Sequence, residues 1–402
     1  MTAAAHSGRT SLGGYSRQRR RRGFRSAVSL HAHTHHSREV LSDFPQYLRQ
    51  IPLVNICFER AVSNHARRSG DTVDFANGWW RPPLSPRAVF ESEHRQIEER
   101  FGLPALVSVT DHDDIAAGCD LQTWYSPHRA PISVEWTVPV GAGYFHLGVH
   151  NLPARSAHEW FERLAAATNR PEPSAIGALM HELCEIPEVL IVLNHPMWDL
   201  ADVGAEQHTR LLGEFCGRYR RYMHAVELNG YRSWRENERA RPLARDLGVP
   251  LISGGDRHGC DPNALLNLSC AATFDEFATE VREGVSHVVV MPEYERHIVT
   301  RKLGSAGDVL RHYTSYPPGL QRWTDRISWD DGSGPKSLAT RWPAGVPRWL
   351  PLLVQAFRLV TNPVALTILD SALRGSETIV SVTARTPRYA RALGTVGLGD
   401  VR

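Results

Sequence analysis

A chain of 402 residues with 42% hydrophobic and 22% charged residues can bury a sizeable core, with room for one large domain plus extensions. Its formal charge of +3 argues against a general nucleic-acid-binding fold: seven arginines (9, 17, 19, 20, 21, 22 and 25) lie in the first 26 residues without an acid, so the remainder is slightly acidic. No run is long and apolar enough to span a bilayer; the best, residues 349–373, is broken by Arg358, Pro363 and Asp370.

Residues 1–26, rich in Gly, Ser and Arg and without apolar periodicity, are expected to be a disordered tail, either merely solvated or an arm for nucleic acid. Arg20-Arg21-Arg22-Gly23-Phe24 faintly resembles a twin-arginine export signal, but no apolar segment of adequate length follows it. The six cysteines (57, 119, 184, 216, 260 and 270) contain no C-x-x-C pair, which fits a reduced, cytoplasmic protein.

From residue 27 to about 296 short apolar runs alternate with helical patterns, the signature of β/α units. An insertion at about 39–86, containing Gly78-Trp79-Trp80-Arg81-Pro82-Pro83, either shapes a site or decorates the surface. Ser85 and Pro86 open a helix that Gly102 closes before a strand at 105–110. Ser156 to Glu159 reads as a capping box that starts a helix running through residue 167. Further strands are expected at 132–136, 189–194, 225–229, 250–253 and 287–291, and helices at 175–185, 206–222, 234–247 and 274–282. Repeated units of this kind suggest a parallel barrel, whose active sites lie at the C-terminal strand ends. Residues 297–402 lose the rhythm; they contain one helical run at 350–374 and a weak strand at 378–383, and no role can be read for them.

Six fragments carry the chemistry, each ending an apolar run: His31-Ala32-His33, Thr110-Asp111-His112-Asp113, Glu135 with His146, Asn194-His195-Pro196, Glu227, and Gly255-Asp256-Arg257-His258. In a strand, residues i and i+2 share a side, so His31 and His33, or Asp256 and His258, can grip one ion together. A carboxylate such as Glu135 can bridge two ions, which one imidazole cannot. Carboxylates mixed with imidazoles suit Zn, Mn or Fe. Two or three ions held close together would acidify a shared water and neutralise phosphate oxyanions: phosphoester hydrolysis by a metal-activated hydroxide, or amide hydrolysis.

The string from Leu30 to Ser37 (LHAHTHHS), Val109-Thr-Asp-His-Asp113, Val134-Glu135 with His146-Leu-Gly, Asn194-His-Pro196 and Gly254-Gly-Asp-Arg-His258 resembles the PHP (polymerase and histidinol phosphatase) superfamily. The likeness covers roughly residues 27–291 and includes Asn237, Ala240 and Ala244. It implies a distorted (β/α)7 TIM-like barrel with a trinuclear metal centre, in a branch of small nucleotide phosphatases and exonucleases of the TrpH type. It further implies that His31, His33, Glu135 and Asp256 hold one ion, that Glu135 with His146 and His195 holds a second, and that His112 and His258 serve a third, with Glu135, Asp256 and His195 the catalytic residues. That branch places Asp after the serine of the first motif, where this chain has Arg38, which cannot ligate. Glu39 is the candidate substitute; otherwise the third site is weak, or Arg38 binds substrate phosphate.

Other residues keep two readings. Asp111 and Asp113 orient a ring or cap a helix; Glu227 orients a ligand or is solvated; Arg232 and Arg235 clamp phosphate or are an exposed first helical turn. Arg257 reads as structural, His35 and His36 as loop residues, and Trp79 and Trp80 as packing or as a stacking platform. The expected activity is a phosphoesterase acting on a phosphorylated small molecule or short nucleotide. The alternatives are a 5'-3' exonuclease-type phosphodiesterase aided by the arginine tail, and a non-catalytic metal-stabilised binding module.

Overall fold

The computed structural model describes residues 9–15, 23–41, 52–70, 75, 77–330, 332, 334–343 and 345–373, and over them the chain is mixed α/β. In order come β1 (Arg9–Gly14), β2 (Ser26–Leu30), β3 (Glu39–Val40), α1 (Pro52–Ser69), β4 (Gly78–Trp80), α2 (Pro86–Phe101), β5 (Ala105–Ser108) and α3 (Ala116–Gln122). The hairpin β6 (Ile132–Val140) and β7 (Gly143–Leu152) is followed by α4 (Ala157–Asn169), α5 (Pro173–Cys184), β8 (Leu190–Leu193), α6 (Ala205–Tyr219) and β9 (Ala225–Asn229). Then come α7 (Trp234–Leu247), β10 (Leu251–Gly254), β11 (Leu265–Ser269), α8 (Phe274–Arg282), β12 (Val285–Val290) and α9 (Ile298–Leu310). The chain closes with α10 (Trp323–Arg326), β13 (Ile327–Asp330), β14 (Pro335–Ser337), α11 (Leu338–Arg341), α12 (Trp349–Val360) and α13 (Pro363–Leu373).

Local chemistry sets these boundaries. Ser85 Oγ accepts the Ala88 amide, Pro86 occupies the first turn, and Gly102 ends α2 at φ 61, which glycine adopts without cost. Ser233 and Thr273 cap α7 and α8 in the same way. The capping box expected at Ser156 does not form: its side chain caps nothing.

Strand pairing gives three sheets, in the orders β1-β12-β11-β2-β5, β10-β9-β8-β7-β6 and β14-β13-β4-β3. Among the described residues these pairings do not close a barrel, and they are not all parallel: β6, β7 and β8 run antiparallel, as do β2, β11 and β12. The two five-stranded sheets nevertheless meet at both edges. At one, between β5 and β6, His112 bridges Glu135 and Ser108 Oγ donates to Ser133 Oγ at 2.8 Å; at the other, between β1 and β10, the Leu251 amide donates to Thr10 Oγ1 at 2.8 Å. Val28, Leu30, Leu106, Leu190, Val192, Ala225 and Ile252, from strands of both sheets, share one core with Phe274, Phe277 and Val281 of α8. Strands buried on both faces read as unbroken apolar runs, which is why β8, β9 and β10 were legible.

Residues 9–14, expected to be without structure, pair in parallel with β12 as an edge strand; the rest of the arginine run, residues 17 and 19–22, lies outside the described residues. The weak strand expected at 378–383 also lies outside them. No single helix among the described residues is long and apolar enough to cross a membrane; the apolar run near the C-terminus is two helices, α12 and α13, bent by 60°. The third sheet joins two segments that the sequence left without a role. β4 of the insertion pairs with β13 of the C-terminal segment, and on its other side with β3, which bears Glu39. The Asp370 carboxylate on α13 accepts the His297 amide at 2.7 Å and the Thr300 hydroxyl at 3.1 Å, pinning α13 to the start of α9.

Candidate metal centre

The site forms where the strand ends of the two large sheets converge. His31 follows β2, His195 follows β8 and Asp256 follows β10, each with positive φ (60°, 25° and 52°). For non-glycine residues that conformation costs on the order of 1–2 kcal/mol apiece, and it turns each side chain inward from its strand. The Gly254-Gly255 pair permits the turn at Asp256. A Cβ on Gly254 would collide with Glu227 Oε1, and one on Gly255 with the Asn263 side chain.

Glu135, fully buried, is the hub. Its Oε2 lies 3.0 Å from His31 Nε2, 3.3 Å from His33 Nε2 and 3.2 Å from His112 Nδ1. Its Oε1 lies 2.9 Å from His195 Nε2 and 3.2 Å from His146 Nδ1, and accepts Asn194 Nδ2 at 3.0 Å. Asp256 Oδ1 lies 3.4 Å from His33 Nε2 and 3.5 Å from His258 Nδ1. Glu39 Oε2 stands 3.0 Å from His258 Nε2 and 3.2 Å from His112 Nε2. Four sets of side chains therefore present atoms close enough to hold an ion: His33, Glu39, His112 and His258; His31, His33 and Asp256; His31, Glu135 and His195; and His112, Glu135 and His146. All nine side chains named as ligands from the sequence, Glu39 included, come together here.

These donors suit a cation. Two ligand atoms each about 2.0–2.1 Å from a tetrahedral ion stand roughly 3.3 Å apart, the spacing of His33 Nε2 from Glu135 and Asp256. His33 Nε2 and His146 Nδ1 are buried, face carboxylates, and make no hydrogen bond. Burial pushes the His33 imidazole down to about 4, with His258 adding to it, and burial also lowers His146, so both are neutral and can donate a lone pair. Elsewhere protons occupy the cluster. Burial alone would lower His112, but Glu39 and Glu135 raise it to about 10. Against the opposing effect of burial, the neighbouring imidazoles hold Glu39, Glu135 and Asp256 well below the usual carboxylate range. A divalent ion would replace those protons, so its binding would release them.

A second layer fixes the first. Glu227, buried rather than solvated, accepts from His31 Nδ1 at 2.5 Å, from the His195 amide at 2.8 Å and from Asn229 Nδ2 at 2.9 Å. Asn229 also donates to Asp256 Oδ2 at 3.0 Å and is itself held by Asn237, whose Oδ1 accepts its amide. Asp111 neither orients a ring nor caps a helix; its carboxylate binds the Thr34 amide and hydroxyl, and burial raises it to about 7. Asp113 accepts the Thr137 amide at 2.9 Å.

The three arginines expected at the substrate phosphate diverge. Arg38 is exposed and lies 5.5 Å over the Trp79 ring, and Arg235 is exposed as well. Arg232 is buried, 5% exposed, with its guanidinium against Trp198, whose ring is 5.2 Å from that of His195. His36 pairs with Asp120, and neither His35 nor His36 belongs to a ligand set. The Trp80 ring lies 5.7 Å from that of His258.

Sequence reasoning passed over Glu93, fully buried and bonded to Arg257 at 2.5 Å, to the Asn263 amide and to Ser29. Its place on the apolar face of α2, among Val89, Phe90 and Ile97, was the available signal. Lys302 and Tyr231, also close to the site, gave no such signal.

No family model and no curated protein sequence matches the chain. Among solved structures, PsfC from Pseudomonas syringae PB-5123 aligns over 70% of this chain and 98% of its own, at 13% identity and TM-score 0.39. An amidohydrolase from Chromobacterium violaceum, solved with bound sulfate and no metal, covers 58% of this chain and 87% of its own at 15% identity and TM-score 0.32. A protein from Bifidobacterium adolescentis provisionally named a metal-dependent phosphoesterase covers 49% and 90% at 14% identity and TM-score 0.29. Likenesses this slight assign neither a fold nor an activity to this chain.

Proposed function

We propose that this chain is a metal-dependent phosphoesterase of PHP type that hydrolyses a phosphomonoester or a short nucleotide with two or three divalent ions (Zn, Mn or Fe). The observation that carries the reading is Glu135, whose two oxygens face different imidazoles at the convergence of six histidines and three carboxylates. The edge contacts between the two large sheets support reading them as a distorted barrel with the site at its strand ends.

When bound, divalent ions supply an acidified water and positive charge for the phosphate oxyanions. The rest falls to side chains. Glu227 accepts a hydrogen bond from the Nδ1–H of His31 and so turns Nε2 toward the site to ligate. Glu135 and Asp256 hold negative charge where cations are needed, and His195 is set by the Glu227 bond to its amide. Burial of all of these keeps bulk water out.

The test is metal content of the full-length protein together with hydrolysis of a panel of monoesters and diesters. Two or three equivalents of transition metal and monoester turnover are expected, with kcat/KM falling roughly 10³-fold in folded Glu135→Gln, several kcal/mol of lost stabilisation. Protein that carries no metal and hydrolyses nothing with added Mn or Zn would sink the proposal; turnover of diesters alone would move it to the exonuclease reading.

A further inference from the structure

Beside the metal centre lies a group of cations that the ligand sets do not use. Arg232 is 95% buried by its 5% exposure, yet its Nε and Nη2 have no hydrogen-bond acceptor. Its guanidinium lies against the Trp198 ring, and the Glu236 carboxylate, 3.9 Å from Nε, is too distant for a hydrogen bond. Lys302, part-buried on α9, has its ammonium 5.9 Å from the Tyr231 ring, which is itself 5.4 Å from that of His258. The two aromatic rings that carry these cations thus each adjoin a ligand imidazole, His195 on one side and His258 on the other.

The placement is built from the C-terminal segment. Arg301 donates to the carbonyl oxygens of Gly230 and Arg232, and stacks 4.4 Å over Tyr294, whose hydroxyl donates to the Arg232 carbonyl at 2.7 Å. These bonds lock the loop that bears Arg232 to the helix that bears Lys302. They also bring a second buried guanidinium, and a third cation, to the spot, because Arg301 spends its donors on neutral carbonyl oxygens and not on a carboxylate. Glu236, which with Asp256 also faces Lys302, offsets part of this charge, and buried positive charge that stays unbalanced costs several kcal/mol unless a further anion joins it. Burial, with Arg232 adding to it, lowers the Lys302 ammonium to about 7, consistent with crowded cations. An arginine with two idle, buried N–H groups is shaped to take an oxyanion side-on.

We propose that Arg232 and Lys302 form an anion subsite beside the metal centre that binds a phosphate group of the substrate, so that the C-terminal segment completes the active site. The identity of the occupant as substrate rests on the phosphoesterase reading; the existence of the subsite does not. Its function is positioning and ground-state binding, without a proton transfer.

The experiment titrates inorganic phosphate into full-length protein, metal-loaded and after chelation, by calorimetry. Wild-type protein binds phosphate in both states, Lys302→Gln and Arg232→Gln each weaken binding at least about tenfold, Lys302→Arg keeps it within about threefold, and Arg235→Gln leaves it unchanged. With the metal loaded and a phosphomonoester as substrate, Lys302→Gln raises KM by a similar factor and lowers kcat less than threefold. Should Arg232→Gln fail to fold, the part-exposed Lys302→Gln decides. Loss of all phosphate binding on chelation, or equal affinity in wild type and a Lys302→Gln variant with unchanged melting temperature, overturns the subsite. A metal-loaded protein that hydrolyses no ester but still shows the Lys302-dependent phosphate titration defeats the phosphoesterase reading alone.

Discussion

The deep and outer halves of the metal centre are built differently. In the deep half, His31, His33, His195 and Asp256 follow strand ends in the core and Glu135 lies within β6, which runs on past the expected 132–136; all five are at most 4% exposed, and they are tied to one another through Glu227, Asn194 and Asn229. In the outer half, Glu39 hangs on a two-residue strand and meets His112 and His258 near the surface. That strand is held by β4 of the insertion, and β4 by β13 of the C-terminal segment. The deep half is a product of the main sheets, whereas the outer half adds to their His112 and His258 a carboxylate, Glu39, held by the insertion and the C-terminal segment. The contrast teaches that ligands of one centre can differ widely in how firmly the fold holds them.

Four changes test that contrast, from the largest effect down. Glu227→Gln removes the acceptor that orients His31 and should weaken metal binding roughly 10- to 100-fold while the fold is kept; a competition titration with a metallochromic chelator measures it, and an unchanged affinity would show that the deep half does not depend on its supports. Glu39→Gln should remove about one equivalent of metal by elemental analysis and lower turnover roughly tenfold, leaving the deep ions in place; loss of all metal would merge the two halves. The third concerns pH. Burial, with His31 adding to it, pushes the His150 imidazole down to about 3, and Ser108 Oγ lies 2.8 Å from its Nδ1. A depressed folded pKa means stability that is present above the unfolded value near 6.5 and lost as pH falls from there toward 3. In chelated protein, His150→Asn should therefore shrink the loss of stability between pH 7 and pH 4 by about 1–3 kcal/mol, followed by urea unfolding at each pH; an unaltered pH profile would remove His150 as its cause. The smallest effect is expected for Arg38→Ala: the side chain is exposed and outside every ligand set, so kcat/KM should change less than about twofold. A large loss there would restore Arg38 to the substrate.

Much of the fold and of the metal centre is legible in the amino-acid sequence. Short apolar runs mark β5, β8, β9 and β10, and Ser85, Pro86 and Gly102 mark the ends of α2, because these signals are local. The ligand types are legible because metal chemistry restricts them to a few side chains. β7 escapes such a reading because its polar and glycine residues, YFHLGVHN, carry no simple period, and β11 because the five-residue run LLNLS is too short to show one. β1 escapes it because an edge strand that pairs across the chain with β12 needs no apolar pattern of its own.

By itself the sequence determined which side chains could meet a metal and, except for Glu135 and His146, which lie within β6 and β7, the strand ends they follow, since both come from residue type and local periodicity. Only the tertiary structure decided which of them share a neighbour. It placed Glu39 at the outer ligands, with Val40 turned outward, because pairing of this two-residue strand with β4 sets which of its side chains faces inward, and it left Arg38 at the surface. It also buried Glu227 beneath His31 and brought Lys302 to Arg232 from 70 residues further along the chain. Contacts across such separations depend on how sheets and helices pack, and no local pattern encodes them.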